Sequence, residues 1–171
     1  MDSRKRGNLP GDLLRGPVDP RPTGVFRIAF SLLLMHMVYR YLTLAETFFS
    51  DTGVLPRPVM HAFPRPYRVS LLDYVGQTWL VEALLILWLV ALACLLLGVK
   101  PRLAAMFNYV LIVSFHARNV FILNGADHAM RVMSFWLIFL PLDGALLPGR
   151  RPVQVRGYRV PLVLAQLQVA L

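Results

Sequence analysis

Cysteine is nearly missing from this chain: Cys94 stands alone, so no internal disulfide and no thiolate metal site can form within it. It falls in the most apolar stretch and reads as a small inert hydrophobe. Acids are scarce, nine against eighteen Lys and Arg. Charged residues of both signs make up 16% of the chain, well below the roughly 25% of an ordinary soluble domain. No phosphate-cradling glycine loop, HExxH or GxSxG is present, which removes the common nucleotide-hydrolase, zinc-protease and α/β-hydrolase readings. No zinc spacing or basic recognition helix accompanies the net charge of +9, so nucleic acid is not an expected partner. No small-residue cleavage site follows the first apolar run, so that run is not read as a removable signal peptide.

What the chain has in abundance is apolar surface, 57% of residues. The longest run, about 77–97, holds Glu82 as its one charge and is long enough to cross roughly 30 Å of hydrocarbon at about 1.5 Å per residue. Further apolar runs at about 24–44, 102–123 and 127–147 extend the pattern. The expected fold class is therefore all-α: a polytopic transmembrane helical bundle of four spans plus a partial fifth at 160–171. Residues 1–23, rich in Pro, Gly and Arg, read as a cytoplasmic tail, and 24–171 as the transmembrane domain. The 48–76 segment, with prolines that forbid a continuous helix and many aromatics of the headgroup type, reads as a loop on the non-cytoplasmic side. Pro141 is expected to kink the fourth span, and Asp127 to cap its start. Because a chain rarely stops within a hydrocarbon-embedded helix, the partial fifth span suggests a piece of a longer protein.

Basic residues gather beside the apolar runs, at 4–6, at Lys100 and Arg102, and at 150–159. The bias of Lys and Arg toward the cytoplasm then places the amino terminus inside, with membrane lipids as partners. In that orientation the ionisable residues fall near the outer surface: Arg40 late in the first run, Glu82 early in the second, His116, Arg118 and Asn119 late in the third, and Asn124, Asp127, His128 and Arg131 opening the fourth. Buried charge needs a partner, so one common layer is expected. Asp127 and Arg131, four apart, share a helix face and can pair, with Glu82 available to Arg118 or Arg40. Two readings stay open. The layer either glues the helices together, or it forms a pocket for an anionic or quinone-like ligand with His128 or His116 as a proton carrier. No metal is expected there, since the arginines repel a cation. Asn108, Ser114 and Ser134 read as interhelical hydrogen-bonding groups.

These residues resemble a known family. RPTGVFRIAF at 21–30, RNVFILNGADHAMR at 118–131, LPL at 140–142 and LAQLQVAL at 164–171 are similar to the bacterial HTTM (horizontally transferred transmembrane) domain, a relative of the vitamin K-dependent gamma-carboxylase. The likeness spans nearly the whole chain but only the amino-terminal half or less of a family member. It implies a lyase of the carboxylase type in a bacterial inner membrane, with reduced vitamin K or a related quinone as cofactor. In that chemistry the hydroquinone is oxygenated, and the strong base so formed takes a proton from a glutamate gamma carbon, which then captures carbon dioxide. The resemblance makes His128 the counterpart of the family's catalytic histidine. It also implies a base lysine just beyond the Gln166-Leu167-Gln168 helix, past the last residue of this sequence, so the chain by itself is not expected to be active.

Overall fold

The computed structural model describes residues 21–62 and 70–142, which are helices joined by turns and short irregular stretches. Among the described residues six α-helices occur: α1 (Arg21–Thr43), α2 (Ala45–Phe49), α3 (Arg57–His61), α4 (Thr78–Leu97), α5 (Pro101–Arg118) and α6 (Gly125–Leu137), with a 3-10 turn at Leu71–Asp73. The helix α4 packs against α1, α2 and α5, while α5 packs in turn against α6 and the 3-10 turn.

Residue spacing explains the packing. The helix α4 buries Val81, Leu85, Trp88, Leu92 and Leu95, alternating steps of four and three that keep one stripe facing its neighbours. Phe30, Leu34, Met37 and Val38 do the same on α1. The small residues Ala104 and Ala105 are buried on α5 together with Asn108, Leu111, Ile112 and Phe115, which makes it the innermost helix. An aromatic stack of Tyr41, Phe49, Phe115 and Trp88, with successive ring centroids 5.0–5.4 Å apart, joins α1, α2, α5 and α4. In the middle of this apolar body lies one polar tie. The Trp88 indole N–H donates to Asn108 Oδ1 at 2.9 Å, and Asn108 Nδ2 donates to Ser134 Oγ at 3.0 Å. That tie links α4, α5 and α6 and bears out the interhelical role expected of Asn108 and Ser134.

The helix ends follow local chemistry. Gly98, left-handed at φ 75°, closes α4. Its N–H bonds Leu95 O and the Val99 N–H bonds Cys94 O, the paired Schellman closure. Pro101 then starts α5 at a position where its missing N–H costs nothing. At α6 the cap is Asn124 rather than Asp127. The Asn124 side chain accepts from Ala126 N and Asp127 N, and Asp127 Oδ2 accepts from Asn124 N at 2.8 Å, so Asp127 is the third residue of a capping box.

The expected bundle of four spans plus a partial fifth is corrected. Among the described residues two helices, Arg21–Thr43 and Thr78–Leu97, are long and apolar enough to cross a membrane. The third apolar run forms an 18-residue helix that stops at Arg118, where Asn119 turns extended (φ −139°, ψ 98°), and with Arg102, Asn108, His116 and Arg118 in it this helix is too polar to count as a span. The fourth is only 13 residues, about 20 Å of helix against the roughly 30 Å a span needs. It ends at Leu137 rather than running on through a kink, since the Pro141 ring clashes with the carbonyl four residues earlier, that of Leu137. The tail at 1–20, the basic loop at 150–159 and the fifth run at 160–171 lie outside the described residues.

Candidate functional site

The ends of α1 and α5 and the starts of α4 and α6 meet at one end of the molecule, where the described residues of 44–62 and 70–77 pack against them. Arg118, completely buried, is the centre of this region. Its Nη2 donates to Ser50 O at 3.2 Å and lies 3.5 Å from Asp51 Oδ1, and its Nη1 approaches Met60 Sδ at 3.2 Å. Asp51 is shared with Arg57, whose Nη2 and Nε lie 2.6 and 2.7 Å from Oδ2 and whose backbone N–H donates to Oδ1 at 3.1 Å. The hydrogen bond from the Arg57 side chain holds the Asp51 carboxyl below its ordinary value, overcoming the opposing effect of burial, with the charges of Arg57 and Arg118 adding to it. Gly76 is needed here for close approach: a Cβ at that position would run into Asp51 Oδ2 and Arg57 Nε. Its carbonyl accepts from Asp51 N at 2.9 Å.

Neighbouring residues complete the seam. Asn119 Nδ2 donates to Phe48 O at 3.1 Å and its Oδ1 accepts from Phe121 N at 3.2 Å. Ser70 Oγ donates to Ser114 O at 2.8 Å, and Ser114 Oγ accepts from Leu71 N, which fastens the 3-10 turn to α5. His116 is fully buried, with Nε2 3.4 Å from Tyr41 Oη; its Nδ1 has no hydrogen-bond partner among the described residues. Asp127, His128 and Arg131, all from α6, act on His116 electrostatically.

The residues singled out from sequence therefore separate into two sets. Arg118, Asn119, His116 and Asp127 are buried together at this end of the fold. Arg40 and Glu82 are exposed on the outer faces of α1 and α4. Asn124 and His128 are exposed, and Arg131 is half-buried with Nη2 3.2 Å from His128 Nδ1. Asp127 spends its carboxylate on the capping box, and the acid beside Arg118 is Asp51, not Glu82. Asp51, Arg57 and Met60 were not foreseen. The usable signal was an aspartate and an arginine inside a proline-rich segment, facing the one arginine that terminates an apolar helix.

Cavities of two kinds are present. A cleft of about 310 Å³ beside α6 is lined by Tyr109, Arg131, Val132, Phe135 and Trp136, and a groove of about 560 Å³ lies between α4 and α5 at the opposite, hairpin end. Neither is lined by Arg118, His116 or His128. Among the described residues no three His, Cys, Asp or Glu side chains are grouped closely enough to hold a metal ion. The quinone implied by the resemblance finds a poor fit at His128, whose ring is exposed and faces Arg131 rather than an enclosed cavity. The chain matches no protein-family model, no curated protein and no solved structure.

Proposed function

We propose that this chain is a membrane-embedded helical module of the HTTM type. In this reading α1 and α4 lie in a bacterial inner membrane with the amino terminus cytoplasmic, and the module serves binding or assembly rather than catalysis. The observation behind the membrane placement is the surface of α4. Only 28% of its apolar window is buried, yet beyond Glu82 its outward positions include Ile86, Leu87, Val90 and Leu97. A core helix of a soluble protein is mostly buried, and a removable leader sits at the amino terminus; α4 has neither property. Exposed apolar surface on this scale calls for lipid or a partner. The non-catalytic reading draws on the polar end of the fold, where Arg118 and Asn119 donate to Ser50 O and Phe48 O and so tie that stretch of chain to α5, while Asp127 is used in the cap of α6.

The test is flotation of the purified protein with phosphatidylcholine vesicles after alkaline carbonate washing. Retention in the vesicle fraction is expected, and a detergent-free monomer left at the bottom of the gradient overturns the reading. The carboxylase-like alternative has one observation in its favour, the buried His116, whose Nε2 lies beside Tyr41 Oη and whose Nδ1 has no partner among the described residues, a position suited to handing over a proton. Hydroquinone-dependent carbon dioxide incorporation by the full-length gene product, lost in His116→Ala, would replace the non-catalytic reading.

A further inference from the structure

The α4–α5 hairpin carries a second feature, far from the polar seam. The groove of about 560 Å³ is lined by Ala91 and Cys94 of α4 and by Leu103, Phe107 and Val110 of α5, and the one charged residue among the described lining is Lys100, exposed at the turn. No acid occurs anywhere between Glu82 and Asp127, so the hairpin itself offers Lys100 no nearby carboxylate. From Lys100 to Val110 the groove runs ten residues along α5, about 15 Å at 1.5 Å per residue. That is half the hydrocarbon thickness of a bilayer, the depth of one leaflet.

We infer that this groove seats one anionic phospholipid, its acyl chain between α4 and α5 and its phosphate on Lys100. The inference rests on the membrane reading above, which puts the carboxyl end of α4 at the headgroup level. Three matches commit the site to this occupant: apolar walls along the chain's path, Lys100 at the headgroup end, and a length equal to a single leaflet. A basic turn at the cytoplasmic end of membrane helices is where anionic headgroups are recognised. A second protein copy would need no such charge at the rim, and a free anion would need no apolar trough.

Cys94, the single cysteine, lies in the wall and reports occupancy directly. The full chain is reconstituted into vesicles of phosphatidylcholine alone or of phosphatidylcholine and phosphatidylglycerol in equal parts, and alkylation of Cys94 by N-ethylmaleimide is followed by intact mass. Phosphatidylglycerol is expected to slow wild-type alkylation at least threefold. Lys100→Arg keeps that protection. Lys100→Asn removes it, and asparagine tolerates the left-handed backbone (φ 41°) that Lys100 adopts, so this variant keeps the turn. Equal rates in the two membranes, protection that survives Lys100→Asn, or a Cys94 unreactive in both overturns the inference while leaving the membrane reading standing. A protein that floats with neither vesicle overturns both.

Discussion

Replacing Asp51 by asparagine tests how the buried guanidinium of Arg118 is tolerated. The carboxylate sits 3.5 Å from Arg118 Nη2, and its own side chain is 30% exposed, as is that of Arg57 at 31%. An exposed pair contributes about 0–1 kcal/mol, whereas removing one partner of a fully buried pair costs about 3–5 kcal/mol. Arg118 is buried but retains Ser50 O, and the carboxylate is partly screened, so the expected loss for Asp51→Asn is about 2 kcal/mol, between the two limits. For a chain of this size that corresponds to a fall of about 4–8 °C in thermal midpoint. The assay is thermal unfolding of the detergent-solubilised protein for wild type, Asp51→Asn, Arg118→Met and the double variant. Because the two residues share one contact, the double variant should be less destabilised than the sum of the singles by at least about 1 kcal/mol. Arg40→Ala and Glu82→Ala, both at exposed positions, should each stay within about 0.5 kcal/mol of wild type. If Asp51→Asn is as mild as these controls, or the cycle is additive, the seam is not held by this ion cluster.

Three further outcomes follow from the same geometry. The Asp51 carboxyl is held below its ordinary value of 3.8, chiefly by its hydrogen bond from Arg57. Its contribution is therefore complete above that value and lost as pH falls through the lowered one, so wild type should lose midpoint on acidification in a step that Asp51→Asn lacks. Gly76→Ala forces the Asp51 carboxylate off Arg57 and should reproduce much of the Asp51→Asn loss, with little added in the double variant; full additivity would mean the glycine acts through something else. Asn108→Leu strands the Trp88 indole N–H and the Ser134 hydroxyl inside an apolar body, at about 1–3 kcal/mol per stranded group. An unchanged midpoint would show that those groups find other partners.

The helical content could be read from the sequence where the signal was local. Twenty residues with one acid, followed by Gly98 and then Lys100-Pro101, fix α4 to within a residue, because both the apolar run and its stop are contiguous. The helix start near Asp127 was legible, but the cap was placed three residues late, on Asp127 instead of Asn124, since either residue type can cap and only the backbone decides. Apolar composition was the misleading signal for the third and fourth runs. Composition does not register where Asn119 leaves helical geometry or how far back Pro141 acts, so four spans were counted where two of the described helices combine the length with the apolarity. At the polar end, Arg118 and Asn119 announced themselves as costly residues closing an apolar helix. Their partners did not, because Asp51, Ser50, Phe48 and Met60 come from a segment far away in the chain, and no spacing rule connects them.

The Trp88–Asn108–Ser134 tie has a consequence for alignment. Leucine-rich helix faces can slide past one another by a turn, about 5.4 Å, and still meet apolar side chains, so apolar packing alone leaves several near-equal arrangements. A slip of that size would pull the amide from both its partners at once and leave an indole N–H and a hydroxyl stranded in a dry interior. One asparagine thus acts as a locating pin: it selects a single alignment of α4, α5 and α6 from a set that greasy surfaces would treat alike.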